Sequence, residues 1–153
     1  IDICLEDNEI WKRDNFIAKI IHVPGHTKGH ICFYFYEDKL LFTGDTLFSL
    51  GCGRIFEGTY EQMFSSLNKI KAMPLDTQIF CGHEYTLNNS KFCIKHDSEN
   101  LNLKKKIQNI QIKLKHSQPT IPSTLKEELD CNIFLRAKDV KTFSKLRDLK
   151  DNF

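Results

Sequence analysis

A chain of 153 residues can hold one ordinary domain with a real core, and 41% hydrophobic with 27% charged residues is a normal balance for a soluble fold. A net charge of +2 is too small to direct the chain to nucleic acid or to a membrane surface. No apolar run reaches the length of a membrane span and no secretory signal opens the chain, which begins at Ile1 and so reads as a processed, trimmed or fragmentary product.

In chain order, Phe16 to Val23, Ile31 to Tyr36, Leu40 to Thr43 and Gln78 to Cys81 are rich in β-branched and aromatic residues, and each is expected to be a strand. Between the third and fourth lies a helix. Thr59 and Gln62 have the spacing of a capping box, Met63, Phe64, Leu67 and Ile70 recur at helical intervals, and Pro74 stops the run. From Thr86 onward the texture is helical and rich in lysine. Leu103, Ile107, Ile110 and Leu114 form an apolar stripe, with Lys104-Lys105-Lys106 expected on a solvated face. The loop Ser117 to Pro122 precedes a second capping box, Thr124 to Glu127, and Asp139 is expected to cap a final helix carrying Val140, Phe143 and Leu146. The six cysteines form no CxxC pair, and Cys32 and Cys81 sit in apolar runs, so reduced thiols and a cytoplasmic setting are expected.

Three short motifs carry the chemistry. In Pro24-Gly25-His26-Thr27-Lys28-Gly29-His30 a turn leaves a strand and presents His26 at its tip. Asp45 stands between Gly44 and Thr46 directly after the strand Leu40 to Thr43, and His83 follows the strand ending at Cys81. Each is a metal-competent side chain just past a strand end, so the three can converge at one sheet edge as a metal site of hydrolytic type, Asp45 having one oxygen for each of two cations. His30 either hydrogen-bonds behind the ligands or packs, and Glu84 is expected to make structural hydrogen bonds.

These motifs, together with Cys81-Gly-His-Glu-Tyr85, resemble the metallo-β-lactamase superfamily. Within it, Gly51-Cys-Gly-Arg54-Ile-Phe56-Glu-Gly58, Tyr85-Thr-Leu-Asn-Asn89 and the terminal Leu146-Arg-Asp-Leu-Lys150-Asp-Asn-Phe153 are similar to glyoxalase II, the hydroxyacylglutathione hydrolases. The resemblance implies an α/β fold: residues 1–85 as the C-terminal portion of an αββα sandwich, and residues 86–153 as a small helical glutathione-binding domain. It implies two divalent metals, zinc most often and iron or manganese in some members, with His26 on the first, His83 on the second and Asp45 bridging. A water held between the cations and deprotonated near neutral pH would attack the thioester of S-lactoylglutathione, releasing D-lactate and glutathione. Arg54, Phe56, Tyr85, Arg147 and Lys150 stand at the positions that bind the glutathione moiety; Arg147 and Lys150, three apart on a helix, can share a face toward its glycyl carboxylate.

The chain departs from the family in one large respect. Members carry an opening Thr-His-x-His-x-Asp-His motif that supplies four further ligands, whereas Ile1 to Phe16 contains no histidine. Alone, the chain is therefore expected to bind metal weakly, to turn over little, and to expose apolar strand surface where a sheet layer is missing. A separate chain could supply those ligands. The alternatives are a non-catalytic remnant or another hydrolase of the same fold.

Overall fold

The computed structural model describes residues 3–153. A six-stranded sheet runs in the order β1-β2-β3-β4-β7-β8, formed by Ile10–Arg13 (β1), Phe16–His22 (β2), Ile31–Phe35 (β3), Leu40–Gly44 (β4), Gln78–Cys81 (β7) and Ser123–Thr124 (β8). The hairpin Leu47–Phe48 (β5) with Gly51–Cys52 (β6) stands beside it, and five helices complete the fold: Tyr60–Lys71 (α1), Thr86–His96 (α2), Leu101–Lys115 (α3), Leu125–Cys131 (α4) and Val140–Asp151 (α5).

Topology places the three motifs at one end of this sheet. The strands β2, β3 and β4 are successively antiparallel, so β2 and β4 end on the same side. After β4 the chain passes through α1 and returns as β7 parallel to β4, as a strand joined through a helix does, so β7 ends there too. The residues following β2, β4 and β7 are those that carry His26, Asp45 and His83.

Helix α1 forms as expected, with Thr59 and Gln62 closing a reciprocal capping box and Met63, Leu67 and Ile70 buried. The same box, Thr124 with Glu127, opens α4, and Asp139 caps α5 by accepting the Thr142 N–H. One apolar cluster runs from Ile21, Cys32 and Leu41 through Met63 and Leu67 to Phe92, Leu103, Leu125, Phe134 and Phe143, so the helical segment and the sheet share a core. Strand β8, from the helical segment, extends the sheet by pairing with β7.

The opposite sheet face is aromatic and uncovered. Edge-to-face and stacked contacts link Trp11 to Phe33, Phe16 to Phe35, Phe35 to Phe42 and Phe42 to Phe80, while Phe16 remains 60% and Phe42 42% exposed. This is the exposed strand surface expected from the sequence.

One expectation needs correction. Lys104 and Lys105 are solvated, but Lys106 is not: its ammonium lies 2.9 Å from the fully buried Glu128 carboxylate. At 103 + 3 and 110 − 4, Lys106 shares the helix face of Leu103 and Ile110, so it is carried inward with them. Strand β1 was not anticipated; it is a mostly exposed edge strand, apolar at Ile10 and Trp11 and basic at Lys12 and Arg13, that pairs with β2 across a tight turn in which Asp14 takes φ +52°.

Candidate metal centre and pocket

The turn after β2 is held from both sides. Gly25 adopts φ +147°, and a Cβ there would fall 2.7 Å from the Met63 Cβ, so a glycine is required where the turn crosses α1. Val23 N–H donates to His30 O at the base of the turn, and the Phe56 and Glu57 N–H groups donate to His26 O. The His26 ring is fixed by Nδ1, which lies 2.9 Å from the Arg54 carbonyl oxygen. A carbonyl only accepts, so Nδ1 carries a proton and Nε2 is the nitrogen left to face the site.

That nitrogen faces Asp45. His26 Nε2 is 3.5 Å from Asp45 Oδ2, and His83 Nε2 is 3.5 Å from Asp45 Oδ1. One carboxylate thus stands between two imidazoles, a different oxygen turned to each. Gly82 brings the His83 strand end against Asp45: its N–H donates to Gly44 O, and a Cβ there would meet Asp45 Oδ1 at 2.7 Å. His83 is half exposed and stacks on Tyr85 with ring centroids 5.0 Å apart, while Phe56 lies over His26 at 4.9 Å.

The donor set suits divalent metal in kind. Neutral imidazole nitrogen and carboxylate oxygen are zinc, iron and manganese ligands, and the two half-sets are each one nitrogen plus one oxygen. The set is short in number, since a catalytic zinc usually takes three protein ligands. Among the described residues, no three or more His, Cys, Asp or Glu side chains gather closely enough to hold an ion by themselves.

From this centre a pocket of about 490 Å³ extends to α5. Its wall includes Arg54, Phe56, Tyr85, Arg147 and Lys150, so the five residues expected on the glutathione side border one cavity with His26, Asp45 and His83. They do so differently. Arg54 and Phe56 are exposed, and Lys150 is half-buried above the Phe92 and Phe153 rings at 5.1 and 4.9 Å. Burial, and secondarily the Arg147 charge, hold the Lys150 ammonium below its ordinary pKa of 10.5. Arg147 is buried: its Nη1 donates to Cys52 O at 2.7 Å and its Nη2 to Asp151 at 2.8 Å. Asp151 also approaches Arg54 Nε at 3.5 Å. Sequence reasoning passed over Asp151, Asn88 and Phe153 on this wall, although Asp151 lies four residues after Arg147, a readable helical pair.

The wall beneath the pocket is the β5–β6 hairpin, tied down by the helical segment. Glu128 accepts from Leu50 N–H and the Ser49 hydroxyl, Asn132 donates to Gly51 O, and Asn89 donates to Ser49 O. Glu84 makes the structural bonds expected of it, accepting from the Thr120 N–H and hydroxyl. All six cysteines are free; burial pushes the thiols of Cys32 and Cys93 up to about 12 and those of Cys52 and Cys131 to about 11, so these four stay protonated near neutral pH. No helix of the described residues is long and apolar enough to cross a membrane.

This sheet and the helices beside it resemble known proteins. Residues 14–83 match the model of the metallo-beta-lactamase superfamily, and the fold is similar to the crystal structure of ETHE1 from Myxococcus xanthus, with a TM-score of 0.68 at 19% identity over 96% of this chain and 52% of that one. The chain belongs to the metallo-β-lactamase superfamily. Residues 84–153 match the model of the hydroxyacylglutathione hydrolase C-terminus. A hydroxyacylglutathione hydrolase of Pelagibacter ubique is 67% identical over 153 residues, and one of Methylococcus capsulatus is 40% identical over 167. Within the superfamily, the chain is a C-terminal portion of the hydroxyacylglutathione hydrolase, or glyoxalase II, family. It spans 64% and 65% of the length of those two relatives.

Proposed function

We propose that the chain provides part of the metal site and the glutathione-binding wall of a glyoxalase II-type hydrolase, which cleaves the thioester of an S-2-hydroxyacylglutathione to a 2-hydroxy acid and glutathione. The observation that carries this reading is Asp45, set between His26 and His83 at 3.5 Å on each side, at the mouth of a pocket that continues to Arg54 and Lys150. In this reading His26 and Asp45 would hold one divalent cation and His83 and Asp45 the other, zinc being the first candidate and iron or manganese alternatives. Bound there, such cations would polarise the thioester carbonyl and supply water acidic enough to attack it near neutral pH.

The remaining steps fall to side chains of this chain. Arg54 and Lys150 supply positive charge for the glycyl carboxylate of glutathione, a guanidinium being able to engage it through two N–H groups. Phe56 and Tyr85 flank the imidazoles and present flat faces to the peptide part of the substrate. Arg147 contributes from behind, adding charge to the wall while its bond to Cys52 O ties the hairpin to α5 and its pair with Asp151 orients the guanidinium within that helix. The residues 1–85 and 86–153 act in this proposal as a metal-bearing part and a glutathione-binding part. A cytoplasmic setting agrees with the free thiols.

Purified chain should be assayed for S-lactoylglutathione hydrolysis and for bound metal, alone and mixed with the segment of the Pelagibacter relative that lies outside the matched 64%. Turnover that appears or rises at least tenfold on mixing supports the reading; absence of turnover in every combination supports a non-catalytic remnant instead.

A further inference from the structure

His30 is four residues from His26 and does not reach Asp45's carboxylate, yet its ring meets the backbone on which Asp45 stands. Asp45 N–H lies 3.0 Å from His30 Nε2, and Thr43 O lies 3.3 Å from the same nitrogen. One ring nitrogen cannot serve both. The amide can only donate, so Nε2 is the acceptor, the proton is on Nδ1, and the Thr43 carbonyl is a contact and not a bond.

The contact depends on the absence of a side chain at residue 44. Gly44 takes φ +50°, and a Cβ there would sit 2.6 Å from His30 Nε2. The imidazole thus lies directly on the Gly44 backbone at the point where β4 releases Asp45. At the same time the His30 carbonyl accepts Val23 N–H, closing the turn that carries His26, and the His26 and His30 rings meet edge to face at 5.8 Å. One residue therefore fastens two loops, through its backbone on the His26 side and through its ring on the Asp45 side.

We propose that His30 is a positioning residue: its neutral imidazole accepts the Asp45 backbone N–H and thereby sets the separation of Asp45 from His26. The inference rests on the metal-site reading for its purpose, but the bond itself exists without metal. Simple packing would need only shape, whereas this role needs an acceptor at the place of Nε2. Glutamine can put an amide oxygen there; leucine fills the space and offers none; asparagine, one methylene shorter, falls short.

Two measurements on the 153-residue chain test it. Without metal, hydrogen exchange of the Asp45 amide should be roughly tenfold or more faster in His30→Leu than in the parent, and should return to near the parent rate in His30→Gln. In zinc titrations against a chromogenic chelator, His30→Leu should weaken binding by about 10- to 100-fold, with His30→Gln within a few-fold of the parent. His30→Asn replaces His30→Leu should the latter fail to fold. An Asp45 amide that exchanges equally fast in all variants, or a His30→Gln no better than His30→Leu by both measures, overturns the proposal. A parent chain that takes up no zinc, alone or mixed with the segment of the Pelagibacter relative outside the matched 64%, while the exchange series behaves as described supports the positioning role and overturns the metal-site reading.

Discussion

Replacing Glu128 should destabilise the chain more than any other single charge change in the helical segment. Its carboxylate is 0% exposed and accepts from four donors: Leu50 N–H at 2.8 Å, the Ser49 hydroxyl at 3.2 Å, Asn132 Nδ2 at 3.0 Å and the Lys106 ammonium at 2.9 Å. Three of them are expensive to abandon. The side chain of Lys106 is only 9% exposed, Asn132 is fully buried, and Leu50 N–H belongs to a residue held at φ +59° at the hairpin tip. Leaving a buried charge unpaired costs about 3–5 kcal/mol, and each orphaned neutral donor about 1–3 kcal/mol before relaxation and water entry. Since these terms overlap at one site, Glu128→Ala is assigned about 4 kcal/mol. Glu128→Gln keeps an acceptor for Leu50 and loses mainly the ion pair, about 2 kcal/mol. Urea unfolding followed by circular dichroism reads both. Adding Lys106→Met to Glu128→Gln should recover roughly 1–2 kcal/mol, because the stranded ammonium is gone. A loss below about 1 kcal/mol for Glu128→Ala, or no recovery in the double variant, would mean that the bonds converging on Glu128 are not what join α4 to the hairpin and to α3.

Other outcomes follow from the site and the sheet. Asp45→Ala removes an oxygen from both proposed cations, so metal retention should fall to background and reconstituted activity should vanish; full metal content in that variant would refute the bridging role. Because burial lowers the Lys150 pKa, the cation is present below that lowered value and is lost as pH rises through it, earlier than for an ordinary lysine. Calorimetric affinity for S-methylglutathione should therefore decline on the alkaline side, and Lys150→Arg should remove that decline; equal pH profiles would exclude Lys150 from the anion site. Phe16→Ser with Phe42→Ser should suppress most of the binding of an environment-sensitive dye to the uncovered sheet face while unfolding free energy changes by less than about 1 kcal/mol, as both rings are largely outside the core. Unaltered dye binding would place the exposed apolar surface elsewhere.

What could be read from the sequence was whatever is written locally. The runs around Ile20, Phe33, Leu41 and Ile79 announce strands because their side chains fit a buried pleat, and Thr59, Thr124 and Asp139 announce helix starts because capping is a bond within four residues. The proposed ligands were legible because each follows such a strand beside glycine. Hidden were features whose cause lies far along the chain. The two-residue strands β5, β6 and β8 exist through partners, β8 meeting β7 some 45 positions earlier, with no periodicity of their own to show. Strand β1 is four residues long with no alternation and a partner on one side only, and only the Asp14-Asn15 turn hints at it.

The centre itself shows where local reading stops and topology takes over. His26, Asp45 and His83 each sit beside a glycine that a neighbouring element presses on: Gly25 against Met63, Gly44 against the His30 ring, Gly82 against Asp45. A side chain at any of these would force the loops apart, so the glycines that marked the motifs as turns also set the approach distances between them. Two of the three contacts are made between elements that meet only because β4 and β7 are parallel across α1. The 3.5 Å spacing on both sides of Asp45 is thus a product of strand order, with His30 as its local adjustment, and the ligands that would complete each cation must enter from outside the set gathered here.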